Sequence, residues 1–224
     1  MICLYCHSPL SQHVDIFSLF QKSSIICHTC EKKLSPLSDS PTCKRCANKT
    51  EEAVDLCESC LFLSQSFKHL PNQIITVFDY NKEVQQLFHR YKFVNDAAMS
   101  EVIAHFINVD FKKYDLVIPI PISNKRLEER TYNQVSLVLD QLNVNYSDIL
   151  KTNKVKRQSE LTKAERLREK QIFFMHEGDK ERVYGANILL VDDIYTTGIT
   201  VHQAIQELYA HNCKNIDLLT FSRS

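Results

Sequence analysis

The chain has no net charge, no tryptophan and only three glycines in 224 residues. Its 27 lysine and arginine residues balance 27 aspartate and glutamate residues, which excludes a protein-wide positive field for nucleic acid. No apolar run approaches the roughly 18 residues that a membrane span requires. The first residues contain neither a basic segment nor a long apolar segment, so we expect a cytoplasmic protein that is not exported.

Cysteine is concentrated at one end of the chain. Eight of the nine cysteines fall in the first 60 residues, and all eight form Cys-x-x-Cys pairs: Cys3/Cys6, Cys27/Cys30, Cys43/Cys46 and Cys57/Cys60. Two residues between thiols allow one turn to present both sulfurs to a single tetrahedral ion. The pattern predicts a double zinc ribbon over residues 1–65. Its two zinc ions would be structural, because four thiolates leave no open position for a substrate.

The grouping of the four pairs is open in the sequence. The simplest grouping is sequential, with the first two pairs on one ion and the last two on the other, and an interleaved cross-brace is the alternative. Disulfides would need an oxidising compartment, and the chain carries no sign of secretion. A redox Cys-x-x-Cys motif would need a thioredoxin-like βαβ unit, which this segment does not show, and an iron–sulfur cluster is a further alternative.

Residues 72–224 alternate between strand and helix patterns and predict a second domain. The predicted strands are Ile74–Tyr80, Asp115–Pro121, Asn187–Val191 and Ile216–Phe221. The predicted helices are one containing Val84, Leu87, Phe88 and Tyr91, then Ala97–Phe106, Ser123 to about Leu142, and Thr200–His211. This alternation predicts an α/β fold with a parallel sheet flanked by helices. Ligands of such sheets bind at the carboxyl ends of the strands, which predicts a site at that edge.

The strongest motif is an apolar run, 188–191, that leads into Asp192 and Asp193 and then into a Thr-Thr-Gly-x-Thr loop. Unpaired N–H groups at the start of the following helix favour an anion, and Gly198 leaves the backbone accessible to it. The two acids could hold sugar hydroxyls. A phosphate at one end and a diol at the other predict a ribose 5-phosphate ligand. The competing interpretation is an ordinary strand–turn–helix with an acidic cap.

The segment 151–170 carries eight basic and three acidic residues. One interpretation is a basic loop that closes over a ligand with several phosphate charges. For the part after Leu161, a solvated, charged helix with pairs three residues apart is the second interpretation, and contact with nucleic-acid phosphates is the third.

The motif at 188–200 resembles the PRPP-binding motif of type I phosphoribosyltransferases, and the order of blocks along the chain resembles the ComF family. The blocks are the four cysteine pairs, Phe88–Phe93, Val117–Ser123, Arg130–Gln134, the basic block around Gln158, the motif itself and the terminal Ser222–Arg223. Two positions depart from the family pattern. Thr131 stands where the family prefers glycine, and Glu169 stands where many members have asparagine.

The resemblance implies a type I phosphoribosyltransferase-like fold that binds PRPP together with magnesium. The PRPP-binding residues that it implies are Asp192, Asp193, Thr196, Thr197, Gly198, Ile199, Thr200, Pro119, Pro121 and Arg130. The flexible-loop residues that it implies are Lys156, Arg157, Gln158 and Arg166. Asp193 is a candidate general base, although binding of the ribose diol already explains both acids.

The resemblance also implies a late competence protein, needed for DNA uptake in natural transformation, that handles incoming single-stranded DNA in the cytoplasm. Its expected partners are single-stranded DNA, PRPP and a competence helicase or recombination mediator. Association with the membrane through the uptake machinery and a homodimer both stay open. The alternatives are an active transferase on an unidentified base or nucleotide precursor, and an adaptor whose ribbons bind another protein.

Overall fold

The computed structural model describes residues 1–10, 24–34, 41–153 and 172–223. Its helices are α1 His28–Lys33, α2 Glu58–Ser66, α3 Lys82–Phe93, α4 Met99–His105, α5 Asn124–Arg130, α6 Gln134–Gln141, α7 Glu177–Val183 and α8 Ile199–Ala210. Its strands are β1 Ile74–Asp79, β2 Leu116–Pro119, β3 Leu150–Thr152, β4 Phe173–Met175, β5 Asn187–Tyr195 and β6 Asn215–Arg223. No helix in these ranges has the length and apolar character needed to cross a membrane.

Four strands form a parallel sheet in the order β1-β6-β5-β2. The two inner strands are built from apolar runs, as expected for strands that are covered on both faces. Along β5, Leu189 and Val191 belong to one buried cluster, whereas Ile188 and Leu190 belong to another. Because successive side chains of a strand point to opposite faces, these are the cores above and below the sheet. The predicted α/β fold is confirmed.

The cysteine-rich segments contribute to both cores. Ile26 and Leu34, which flank α1, are buried in the cluster that contains α3, α4 and α6. Leu63 of α2 is buried in the other cluster, with α8 and the small antiparallel pair β3–β4. Apolar side chains from the first 65 residues therefore complete the hydrophobic cores of the sheet.

The single helix predicted from Ser123 to about Leu142 is wrong, because α5 and α6 are separate helices. The helix is interrupted at Thr131, whose φ of 64° lies in the left-handed region. Asn133 then caps α6, since its side chain accepts a hydrogen bond from the Val135 N–H at 2.9 Å. Helical periodicity on either side of the break hid it from the sequence pattern.

Strand β5 continues past the predicted end at Val191 and reaches Tyr195. Its neighbour β6 also continues, so that Ile194 pairs with Ser222 and Tyr195 with Arg223. The two acids thus lie within a paired strand instead of a loop. The antiparallel pair β3–β4 and helices α1, α2 and α7 were not predicted. Strands β1, β2 and β6 and helices α4 and α8 begin and end within a few residues of their predicted limits.

Candidate functional site

A cleft opens at the carboxyl edge of the sheet. Three segments line it: residues 120–123 after β2, residues 133–135 at the start of α6, and the stretch from Asp192 to Val201 without Ile199. Asn133 ties two of these segments together, because its side-chain amide donates to the Ile120 carbonyl at 3.1 Å. The segments that follow β2 and β5 therefore meet at the carboxyl edge, where the sequence predicts a ligand site.

The loop between β5 and α8 has the shape of an anion site. Gly198 precedes α8 with a φ of 73°, a conformation that residues with side chains rarely adopt. A Cβ at this position would lie only 2.2 Å from Oη of Tyr195, so the close packing also requires glycine. The 12-residue helix α8 begins at the next residue, and Thr196, Thr197 and Thr200 line the cleft beside its first turn. The N–H groups of a first helical turn have no acceptor within the helix itself, which makes a helix start suited to an anion.

The two acids have well-defined surroundings. Asp193 forms an ion pair with Lys92 of α3, and both side chains are largely buried, at 23% and 12% exposed. Asp192 Oδ1 accepts a hydrogen bond from the Asp193 N–H at 2.9 Å. Burial by itself would raise the pKa of Asp193, but the Lys92 ammonium, the Ile194 N–H and Arg130 together lower it. A carboxylate with a lowered pKa stays ionised at neutral pH, where it is a weak base whose two oxygens accept hydrogen bonds.

The sequence did not identify Lys92 as a site residue. It appears there only within the segment Phe88–Phe93, which resembles the ComF family. Its signal is its position four residues after Phe88, on the apolar face of α3 that also carries Val84, Leu87 and Tyr91. A lysine on the buried face of a helix is rare unless it has a partner. Its ammonium lies 5.5 Å from the centre of the Phe88 ring and reaches Asp193 across the edge of the sheet.

The remaining sequence-predicted residues lie in several places. Pro121 lines the cleft, whereas Pro119 is buried in β2 behind it, paired with Val191. Arg130 lies at the end of α5, donates to Gln134 Oε1 at 2.9 Å and stacks 5.9 Å from the Phe93 ring centre. Ile199 is fully buried, so only its backbone can serve the loop. The predicted loop residues Lys156, Arg157, Gln158 and Arg166 lie outside the described residues.

The eight N-terminal cysteines form two centres, which we call the first and the second four-cysteine centre. The first consists of Cys3, Cys6, Cys27 and Cys30, and the second of Cys43, Cys46, Cys57 and Cys60. Within each centre all sulfur atoms lie within 4.8 Å of one another. The grouping is therefore the sequential one, not the interleaved one.

The donor set and its spacing fit zinc. Sulfur–sulfur distances are 3.7 Å for Cys6–Cys27, 3.7 Å for Cys46–Cys57 and 3.9 Å for Cys43–Cys60. Tetrahedral zinc with bonds of about 2.3 Å would place its sulfurs about 3.8 Å apart. Both centres also repeat one backbone contact, in which the N–H of the third cysteine lies 3.3 Å from the sulfur of the first.

The fold is a parallel α/β sheet, and Asp192, Asp193 and the Thr-Gly loop line one cleft at its edge. This combination defines a phosphoribosyltransferase-type domain. In agreement, the family model described as "Phosphoribosyl transferase domain" matches residues 129–223. The whole chain belongs to the ComF family, that of the competence protein ComFC, because it is similar over nearly its full length to proteins of that name.

Three relatives differ in how much of this chain they match and in how many residues are identical. Competence protein ComFC of Bacillus subtilis is 32% identical over 91% of this chain and 87% of its own length. Competence protein ComFC of Streptococcus pneumoniae is 30% identical over 99% of both chains. DNA utilization protein YhgH of Escherichia coli is 22% identical over 89% of this chain and 97% of its own length.

Proposed function

We propose that this chain is a competence protein that acts in DNA uptake, and that its cleft binds PRPP with magnesium. The observation that carries the pocket is the juxtaposition, at one sheet edge, of a glycine-dependent anion loop and two acids. The names of the relatives, Competence protein ComFC and DNA utilization protein YhgH, support the biological role. Under this proposal the two four-cysteine centres hold structural zinc ions.

The roles of the residues follow from their chemistry. The N–H groups at the start of α8, with Thr196, Thr197 and Thr200, bind the 5-phosphate. Asp192 and Asp193 accept hydrogen bonds from the ribose hydroxyls. A carboxylate offers about four lone-pair sites, so Asp193 can hold Lys92 and the Ile194 N–H and still accept from a hydroxyl. Lys92 keeps this carboxylate ionised and oriented. Magnesium, when bound with PRPP, would neutralise pyrophosphate charge.

Isothermal titration of the full chain with PRPP and magnesium tests the pocket. The variant Asp192→Asn with Asp193→Asn should lose measurable binding, because two acceptors of the diol become amides. A control variant, Glu101→Gln with Glu181→Gln, removes the same two charges at exposed positions on α4 and α7 and should bind as the wild type does. Equal affinity of the wild type and the Asp192/Asp193 variant would refute the assignment.

Handling of single-stranded DNA is the second part of the proposal. It is supported by the relatives named for DNA utilization and by the basic segment 151–170, and it must work without a net positive charge. Binding of a labelled single strand should weaken steeply with salt if phosphates are contacted. A flat dependence on salt between 50 and 200 mM, roughly the range in which phosphate contacts lose most affinity, would remove this electrostatic mechanism.

An active phosphoribosyltransferase is the second candidate function. The cleft favours it, since it combines the anion loop, the acids and the nearby cations Lys92 and Arg130 that a charged leaving group requires. Incubation of the protein with PRPP and a panel of bases, with pyrophosphate release as the signal, decides between binding and transfer. Release above the rate of the Asp192/Asp193 variant identifies an enzyme.

A further inference from the structure

One carbonyl of the anion loop, that of Gly198, accepts two hydrogen bonds from the same residue. The backbone N–H of His202 donates to it at 3.0 Å, which is the ordinary first bond of a helix. The imidazole Nδ1 of His202 lies 2.8 Å from the same oxygen. Because a carbonyl can only accept, this Nδ1 must carry the ring proton, and Nε2 of the neutral ring carries none. His202 therefore holds the Gly198 carbonyl through both its backbone and its side chain.

The imidazole ring is enclosed by its neighbours. His202 is only 2% exposed. Its ring centre lies 5.4 Å from that of Phe67, which follows α2, and 6.3 Å from that of Tyr195. Burial lowers the pKa of His202 to about 4, although the hydrogen bond to Gly198 opposes this shift, so the ring is neutral at pH 7. A neutral ring with its proton on Nδ1 matches the contact with the carbonyl.

The orientation of this carbonyl decides where the next N–H group points. The peptide bond between Gly198 and Ile199 is trans, since the described residues contain no cis peptide bond. The C=O and the N–H of a trans peptide point in opposite directions. Because the Gly198 carbonyl points into α8 toward His202, the Ile199 N–H points out of the N-terminal end of the helix, where the helix offers it no acceptor. This N–H is therefore a donor that an anion would meet.

The second hydrogen bond has two consequences for an anion. Gly198 has no side chain and a left-handed φ of 73°, so its own conformation restrains the peptide weakly, and the imidazole supplies the missing restraint. A loop that is ordered before binding loses less free energy when an anion binds. Hydrogen bonds that share a peptide group also polarise one another, so a second donor on the carbonyl strengthens the Ile199 N–H as a donor.

We propose that His202 is a positioning residue for the anion loop: its ring fixes the Gly198–Ile199 peptide so that the Ile199 N–H faces the 5-phosphate of the ligand. The identity of this ligand rests on the proposed PRPP site. The restraint on the peptide does not depend on which phosphate ester binds. The competing interpretation is a buried histidine that only packs against Phe67 and Tyr195.

A matched pair of variants separates the hydrogen bond from the packing: His202→Asn and His202→Leu. Asparagine and leucine have nearly the same shape, and the asparagine Nδ2 can take the place of the histidine Nδ1, whereas leucine has no donor. In this enclosed position we expect the leucine variant to be the more stable of the two in urea unfolding, because asparagine buries an additional polar atom. Packing and hydrogen bonding therefore predict opposite orders of the two variants.

Isothermal titration of the full-length proteins with PRPP and magnesium gives the first comparison. We expect His202→Leu to bind PRPP roughly tenfold more weakly than the wild type, and His202→Asn to stay within about threefold of it, although it unfolds at a lower urea concentration. Affinities that follow the order of the urea midpoints, or that are equal in all three proteins, would overturn the positioning role.

Nuclear magnetic resonance gives two readouts that need no PRPP. The ring nitrogens of His202, assigned by their absence from the His202→Asn spectrum, should show the proton on Nδ1 at pH 7, and a proton on Nε2 would overturn the proposal. The Ile199 amide signal should move in His202→Leu and stay near its wild-type position in His202→Asn. Equal shifts in the two variants, or a shift in neither, would overturn the proposal as well.

The two sets of readouts distinguish a wrong ligand from a wrong role of His202. If the wild type binds no PRPP while the ring and amide signals behave as expected, the proposed ligand is wrong and the restraint on the loop stands. If the wild type binds PRPP and His202→Leu binds it equally well, the PRPP site stands and the role of His202 is refuted.

Discussion

Replacing Lys92 by methionine should destabilise the protein and weaken the candidate PRPP site, although Lys92 belongs to no recognised ligand motif. Methionine keeps most of the unbranched stem that packs beside Phe88 but removes the ammonium from Asp193. The carboxylate would then be left largely buried, with the Ile194 N–H and the field of Arg130 as its remaining stabilising contacts.

The magnitude follows from burial. Removing one partner of a fully buried ion pair costs about 3–5 kcal/mol. With 12% and 23% of the two side chains exposed, solvent recovers part of this, and we expect a loss of about 2 kcal/mol in the free energy of unfolding. Because the pKa of Asp193 is lowered in the folded state, its stabilisation is present above the unfolded pKa of about 3.9 and is lost as pH falls through the folded value. Measurement at pH 7 therefore captures all of it.

Urea unfolding of a double-mutant cycle isolates the pair. The cycle consists of the wild type, Lys92→Met, Asp193→Asn and the double variant, all zinc-loaded. We expect the two single variants to be destabilised and the double variant to recover much of the loss, with a coupling free energy of about 2 kcal/mol. Additive effects, with a coupling near zero, would show that the pair contributes no interaction energy and would refute the role given to Lys92.

Two further predictions concern positive φ angles. Gly198→Ala should lower the free energy of unfolding by about 3 kcal/mol or more, because its left-handed φ and the overlap with Tyr195 act together, whereas Gly178→Ala, with nothing within 4 Å of the added Cβ, should stay close to the wild type. Similar unfolding midpoints of the two would contradict the packing argument. Thr131→Gly should raise stability by about 0.5–1 kcal/mol in urea unfolding, since relief of the left-handed strain at φ 64° exceeds the added chain entropy. An unchanged or lower midpoint would contradict that balance.

The parts of the fold that could be predicted are those encoded in nearby residues. The run 188–191 is apolar enough to indicate a strand covered on both faces, and Gly198 among threonines marks the loop that follows. The end of β5 could not be predicted, because its polar residues look like a loop until the pairing of Tyr195 with Arg223 is known. The break at Thr131 was hidden because helical periodicity continues on both sides of it. The Asn133 amide also donates to the Ile120 carbonyl, a contact between residues 13 apart that a local pattern does not reveal.

The candidate site could likewise be predicted only where its residues are neighbours in the sequence. Asp192, Asp193 and the threonine loop are neighbours in the chain, so a local motif identifies them. Lys92 is distant from them in sequence, and its position depends on which helix packs beside the sheet edge. The hydrophobic periodicity of a helix does not reveal which part of the sheet the helix packs against. Lys92 nevertheless left a trace in the sequence, because it is a lysine on an apolar helix face.

The two four-cysteine centres support different halves of the cleft. Next to the first, Tyr5 donates from its hydroxyl to the Glu83 carbonyl and accepts from Arg90 through its own carbonyl, which fixes α3. The same helix carries Lys92 to the acid that would hold the diol. The second lies behind the phosphate end, because Leu63 of α2, three residues after Cys60, lies 3.0 Å from the position that a Cβ would take at Gly198. Because the apolar residues of these segments also complete both cores, removal of residues 1–65 would expose the cores and release both ends of the cleft. The cleft therefore depends on the cysteine-rich segment as well as on the domain that carries the motif.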